Sequence, residues 1–214
     1  MYYYPVMLDL QKRKCFIAGG GLIALRKVTG LLRAGADVVV VSPEFERRFR
    51  RFKNNIVMIQ KPFDPEDITP DCAIVIAATN VDKINKMVSE RAGELNIPCN
   101  VVDQPELCSF IVPAVIRRGA VSVALSTNAA SPRFSKYLRK KIGEAVTTDY
   151  AMIAGLMAEV RLFLKKNCPD QRKRFAIWEI IFETDPIDNL HNYGFESFRK
   201  SIFDMIAEKI TEKE

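Results

Sequence analysis

Apolar residues in the first hundred positions fall into short solid runs that alternate with stretches of helical spacing. Lys14–Ala18 is the first such run. Leu22–Ala34 then sets Leu22, Ala24, Leu25, Val28, Leu31 and Leu32 at the spacing of one helix face, and Gly35 stops that helix. Val38–Val41 is wholly valine, as in a strand buried on both faces. The alternation continues with a helix over about Glu44–Lys53, a strand over Val57–Gln60, a Pro- and Asp-rich connection and a strand over Cys72–Ala77. An amphipathic helix over Val81–Leu95 and a fifth strand over Cys99–Val102 complete it. Strand and helix repeating in this way predict a doubly wound parallel α/β sheet.

Beyond residue 102 the pattern changes. Ile111–Arg117 and Val121–Ser126 read as two strands of a hairpin joined through Arg118-Gly119. Ser131 and Pro132 supply an N-cap and a first helical position for a helix reaching about Glu144. From Thr147 onward only helices are predicted, over Tyr150–Lys166, Gln171–Phe182 and Phe195–Lys213. Phe175, Trp178 and Phe182 are expected to form a buried helix face, and the polar stretch around His191 reads as a connection. The domain division expected is 1–112, 113–145 and 146–214.

Composition narrows the class. An apolar share of 48% and a charged share of 27% describe an ordinary globular chain. No run approaches the roughly 20 apolar residues that cross a bilayer, and no signal pattern opens the chain, so a soluble, cytoplasmic protein without membrane partners is expected. Five cysteines without a Cys-x-x-Cys pair argue against a disulfide framework or a zinc knuckle; Cys15, Cys72 and Cys99, set in apolar runs, are expected as buried thiols. With a single histidine, no metal site is predicted.

The net charge of +6 would suit nucleic acid, a membrane surface or a polyanionic small molecule. Its distribution is more telling, because seven basic residues and no acidic one lie between Arg117 and Lys141. A ligand with many carboxylates would be drawn there; a solvated helix face is the plainer reading. No nucleic-acid recognition motif accompanies the charge.

The candidate chemistry gathers at predicted strand ends. Gly19-x-Gly21-x-x-Ala24 follows the first strand and opens a helix, the context in which glycines let a dinucleotide pyrophosphate approach the backbone and the N–H groups of the helix start, at Leu22 and Ile23. Where an acidic residue usually binds the adenosine ribose stand Ser42, Pro43 and Glu44. The Ser42 hydroxyl, the nearby backbone or Glu44 could take that role. No arginine stands at the strand end to receive a 2′-phosphate, which favours NAD over NADP. Ala78 and Thr79, ending the fourth strand, would let the nicotinamide-side ribose pass, while Thr79 or Asn80 could equally cap a helix. Asp103 ends the fifth strand and is the candidate general base, although an Asp before Gln-Pro is also a common turn residue.

Two longer runs carry a resemblance. Gly19-Gly20-Gly21-Leu22-Ile23-Ala24-Leu25-Arg26-Lys27 resembles a signature of precorrin-2 dehydrogenases and of the corresponding domain of siroheme synthases. Asn100-Val101-Val102-Asp103, Phe110-Ile111-Val112-Pro113-Ala114, Ala124-Leu125-Ser126-Thr127 and Ser131-Pro132 are similar to a second. The resemblance covers residues 1 to about 145. It implies a Rossmann-like N-terminal domain, a small α+β dimerisation region and a C-terminal helical region, assembled as a homodimer. It further implies NAD-dependent oxidation of precorrin-2 to sirohydrochlorin, with Asp103 catalytic and Arg117, Arg118, Thr127, Ser131, Arg139 and Lys140 at the tetrapyrrole. Some relatives also insert ferrous iron at the same site. Thr127 stands where some relatives carry serine, and Asn128-Ala129-Ala130 replaces a more glycine-rich stretch. No methyltransferase domain follows, so the substrate is expected from elsewhere. The competing expectation is a regulatory domain that senses NAD without chemistry, in which Asp103 would be dispensable.

Overall fold

A computed structural model describes residues 3–128 and 130–212. The chain divides into two compact units, Met1–Val112 and Pro113–Glu214. In the first, β1 (Lys14–Ala18), β2 (Asp37–Ser42), β3 (Val57–Gln60), β4 (Ile74–Ala77) and β5 (Cys99–Val101) form one sheet in the order β3-β2-β1-β4-β5. Every pairing is parallel. This is the predicted doubly wound sheet, and its strand order reverses between β1 and β4, where such sheets bind ligands.

Alternation within each strand splits the core in two. Cys15, Ile17, Val38, Val40, Ile74 and Ile76 pack against α1 (Leu22–Arg33) through Ala24, Leu25, Val28 and Leu31. Phe16, Ala18, Val41, Val75 and Ala77 pack on the other face with Val88 and Ala92 of α2 (Asp82–Glu94). Strands covered on both sides need apolar residues at every position, which is why they appear as solid runs in the sequence. The expected α-helix at Glu44–Lys53 is instead a short 3-10 helix, Arg47–Phe52. Only Phe49 of that segment is buried, and four arginines crowd it, leaving too narrow an apolar face to anchor a longer helix.

The second unit opens with β6 (Ala114–Arg118) and β7 (Val121–Leu125), an antiparallel hairpin. The first strand starts three residues later than predicted because Pro113 cannot donate to a ladder. Helix α3 (Pro132–Ala145) begins as expected, with the Ser131 hydroxyl accepting from the Phe134 N–H at 3.2 Å. Then follow α4 (Thr148–Asn167), α5 (Gln171–Ile181), α6 (Pro186–Tyr193) and α7 (Phe195–Thr211), packed around Leu156, Val160, Leu164, Ile177, Ile202 and Ile206.

Two expectations fail in this helical part. Phe175 and Phe182 are 64% and 53% exposed, and the buried side of α5 is taken by Ile177 and Ile181. His191 is helical rather than in a connection; it lies in α6 and its Nε2 meets Asp149 Oδ2 at 3.1 Å. The α6 start was signalled by Asp185, whose carboxylate accepts from the Ile187 N–H, and by Pro186 at the first position. No described helix is long and apolar enough to cross a membrane.

Candidate active site

The C-terminal edge of the sheet collects the candidate residues of the first unit. Gly19 follows β1 with φ +117°, and a Cβ there would lie 2.3 Å from the Ala78 carbonyl oxygen at the end of β4. A Cβ on Gly20 would lie 2.1 Å from the Glu44 carbonyl oxygen. Gly19 and Gly20 are therefore required by the protein's own packing, which draws the ends of β1, β2 and β4 together. Gly21 differs, since a Cβ there meets nothing within 4 Å. Gly21 is also the N-cap of α1, without side-chain capping or an acidic residue in the first turn. The free N–H groups of that turn suit an anion such as a dinucleotide pyrophosphate. Leu22 is half exposed and Ile23 partly buried at this start.

The ribose candidates separate. Ser42 is buried and its hydroxyl donates to the Glu44 carbonyl at 2.6 Å, so its proton is committed to bracing the turn. Pro43 and Glu44 are exposed at the end of β2, which leaves the Glu44 carboxylate free to accept from ribose hydroxyls. Arg47 and Arg48 lie beyond, in the 3-10 helix.

At the end of β4, Ala78 donates its N–H to the Ala18 carbonyl at 2.8 Å, continuing the ladder past the last paired residues. Neither Thr79 nor Asn80 is the N-cap of α2; Val81 is, without side-chain capping. The Thr79 hydroxyl instead accepts from the Val81 N–H and donates to Oδ1 of Asn85, which is 2% exposed. Asn85 shares the buried stripe of α2 with Val88 and Ala92. A polar residue on an apolar stripe was the signal that could have marked it.

Asp103 stands just past β5, exposed, with φ +60°. The Val102 N–H donates to the Ala77 carbonyl at 3.0 Å, which fixes this strand end beside that of β4. The carboxylate therefore shares the sheet edge with the glycine turn, separated from it by β4. Aspartate tolerates the left-handed conformation better than most residues, yet it still costs about 1–2 kcal/mol. Lys27 of α1 and Asn100 of β5 carry no role in the sequence reading, yet Lys27 Nζ donates to Asn100 Oδ1 at 3.1 Å. Burial lowers the Lys27 pKa below the usual lysine range. Burial likewise raises Cys15 to about 11 and Cys99 to about 12, as expected of core thiols.

In the second unit, Arg117, Arg118, Arg139 and Lys140 line one open depression of about 430 Å³, floored by Val115 and Ile116 and flanked by Glu144. Arg118 is partly engaged, its Nη1 donating to the Arg117 carbonyl at 3.1 Å and its Nη2 to the Gly143 carbonyl at 3.3 Å. Thr127 and Ser131 are not among its lining residues. Thr127 Oγ1 lies 2.9 Å from Ser135 Oγ, and the Ser131 hydroxyl caps α3. Among the described residues no group of three or more His, Cys, Asp or Glu side chains could hold a metal ion.

Fold and edge together define a dinucleotide-binding α/β protein with a carboxylate at the ligand side of its sheet. The family described as "Putative NAD(P)-binding" matches residues 6–114, and the chain belongs to that family. It is 38% identical over 209 residues to a siroheme synthase of Thioalkalivibrio sulfidiphilus, covering 97% of this chain and 42% of that protein. It is also 38% identical over 191 residues to the siroheme synthase of Nitrosospira multiformis, covering 86% and 40%. The chain thus spans about two fifths of the length of these curated relatives. The solved structure of SirC, a precorrin-2 dehydrogenase, superposes with a TM-score of 0.78 at 25% identity over 94% of this chain and 100% of that one.

Proposed function

We propose that this chain is an NAD-dependent dehydrogenase that converts precorrin-2 to sirohydrochlorin, working as a homodimer in the cytoplasm. The observation that carries the reading is Asp103, a carboxylate held at the same sheet edge as a glycine turn open for a dinucleotide. The likeness to siroheme synthases and to SirC supports the substrate.

NAD, when bound, supplies the hydride acceptor. Gly21 and the first turn of α1 would hold its pyrophosphate, Glu44 would accept from its adenosine ribose, and Ala78 and Thr79 after β4 would lie on its nicotinamide side. Oxidation removes one hydride and one proton from the reduced macrocycle, the hydride going to the nicotinamide and the proton to the Asp103 carboxylate. Arg117, Arg139 and Lys140 attract the carboxylates of the tetrapyrrole, with Arg118 contributing its charge and the N–H groups not held by the Arg117 and Gly143 carbonyls. Thr127 and Ser131 act by shaping the loop that starts α3.

The homodimer is supported by the surface of the hairpin and α3. No residue of α3 is buried, Phe134 and Tyr137 are stacked and exposed on it, and β7 alternates half-buried with exposed positions. Exposed apolar surface of this kind marks an interaction site, and a second copy of the chain is the occupant proposed here.

The test is anaerobic incubation with enzymatically generated precorrin-2 and NAD or NADP, followed by absorbance, with sedimentation of the same sample. Sirohydrochlorin formed faster with NAD, by a species of twice the chain mass, is expected. Dinucleotide binding without product would favour a sensor that binds NAD and does no chemistry.

A further inference from the structure

We infer that Lys27 is a positioning residue for the reaction, acting through Asn100 to set the loop that carries Asp103; this rests on the dehydrogenase reading above. Lys27 sits on α1 between the buried positions Ala24, Val28 and Leu31, where a charge is costly unless it has a partner. Its ammonium reaches across to β5 and donates to Asn100 Oδ1 at 3.1 Å. Asn100 is 7% exposed, one of the few buried polar side chains.

A carboxamide has two different ends, and here each has a reason for its orientation. The Asn100 oxygen faces the Lys27 ammonium. The Nδ2 end donates to the Phe110 carbonyl at 3.1 Å and lies 3.5 Å from Cys108 Sγ. Turning the amide over would put its NH2 against an ammonium and its oxygen against a carbonyl. Lys27 thereby locks the amide, and the amide holds the far end of the 101–110 loop against β5.

Cys108 secures the inside of the same loop. Its sulfur accepts from the Val101 N–H at 3.1 Å, and its S–H lies within reach of the Val101 and Gln104 carbonyls at 3.1 and 3.3 Å. Asp103 stands between those anchors in the left-handed conformation, which persists only where its surroundings over-determine it. The chain from Lys27 through Asn100 and Cys108 provides that constraint. Burial lowers the Lys27 pKa, with Cys108 and then Asp103 opposing it, so the ammonium depends on the partners around it.

The experiment compares Lys27→Met, Lys27→Arg and Asn100→Ser with wild type. Lys27→Met keeps the length and apolar stem, so folding is retained. Expected are a fall in kcat of about 10- to 100-fold, with NAD affinity and KM for precorrin-2 within about 3-fold of wild type. Lys27→Arg should recover most of the loss, and Asn100→Ser should reproduce it. Faster amide hydrogen exchange confined to residues 101–108 in Lys27→Met, measured without any ligand, is the second expected result. Wild-type kcat in Lys27→Met, an arginine variant as impaired as the methionine one, or unchanged exchange in 101–108 would overturn the inference. If wild type itself turns over no precorrin-2, the dehydrogenase reading falls, while the exchange data still decide whether Lys27 holds the loop.

Discussion

The two units use their apolar residues differently. In Met1–Val112 the sheet is covered on both faces, and the chemistry-bearing residues stand at strand ends that this double core fixes. In the hairpin and α3 of the second unit only Ile116 is buried, and Arg117, Arg118, Arg139 and Lys140 line an open depression. A site built on a two-sided core is held by the unit's own packing and hydrogen bonds. One built on an uncovered hairpin depends on what comes to cover it, which is why the first unit suits a rigid cofactor and proton-transfer edge and the second an electrostatic capture surface.

Substitutions at the glycine turn break the first half of this contrast most severely. Gly19→Ala sets a methyl 2.3 Å from a backbone oxygen at a positive φ and is expected to destabilise the protein by about 2–5 kcal/mol, from overpacking and backbone strain together. Gly21→Ala meets nothing, so its stability should stay within about 0.5 kcal/mol of wild type while NAD affinity falls at least several-fold. Urea unfolding and NAD titration of both variants check the pair. Equal loss of stability in both would mean that Gly21 is also packed by protein.

Arg139→Ala with Lys140→Ala tests the capture surface. KM for precorrin-2 should rise about 10-fold at low ionic strength, and the difference from wild type should shrink as salt is added, because these charges are exposed. Stability should hardly move. A salt-independent effect would point to packing rather than attraction.

A smaller effect concerns pH. Burial raises Cys15 and Cys99 above their ordinary value of 9.0, to about 11 and about 12. The folded chain therefore keeps protons that the unfolded chain releases, and stability present below pH 9 is lost as pH rises towards 11–12. Lys27, lowered by burial, works in the opposite direction towards 10.5. Urea midpoints between pH 8 and 11 should fall, and less steeply in Cys15→Ala.

How much was legible in the sequence follows the same division. The five strands were readable because two-sided burial demands unbroken apolar runs, and the glycine turn because its spacing between strand and helix is local, although the carbonyls that require Gly19 and Gly20 belong to Ala78 and Glu44. The aromatic stripe of α5 misled because that helix has apolar residues on two sides, and periodicity does not tell which side faces the core; Ile177 and Ile181 took it. Lys27 and Asn100 lie within the two signatures without a local sign of a role, since their hydrogen bond joins residues 73 positions apart, and no local pattern carries such a contact. Ser42 was a fair ribose candidate until the fold turned its hydroxyl inward to Glu44.

The most direct test of the central claim is Asp103→Asn, which keeps size and tolerance of the left-handed conformation while removing the proton acceptor. NAD and precorrin-2 binding should remain within about 3-fold of wild type, and single-turnover formation of sirohydrochlorin should slow by about 100-fold or more. Wild-type turnover in that variant would contradict a catalytic Asp103.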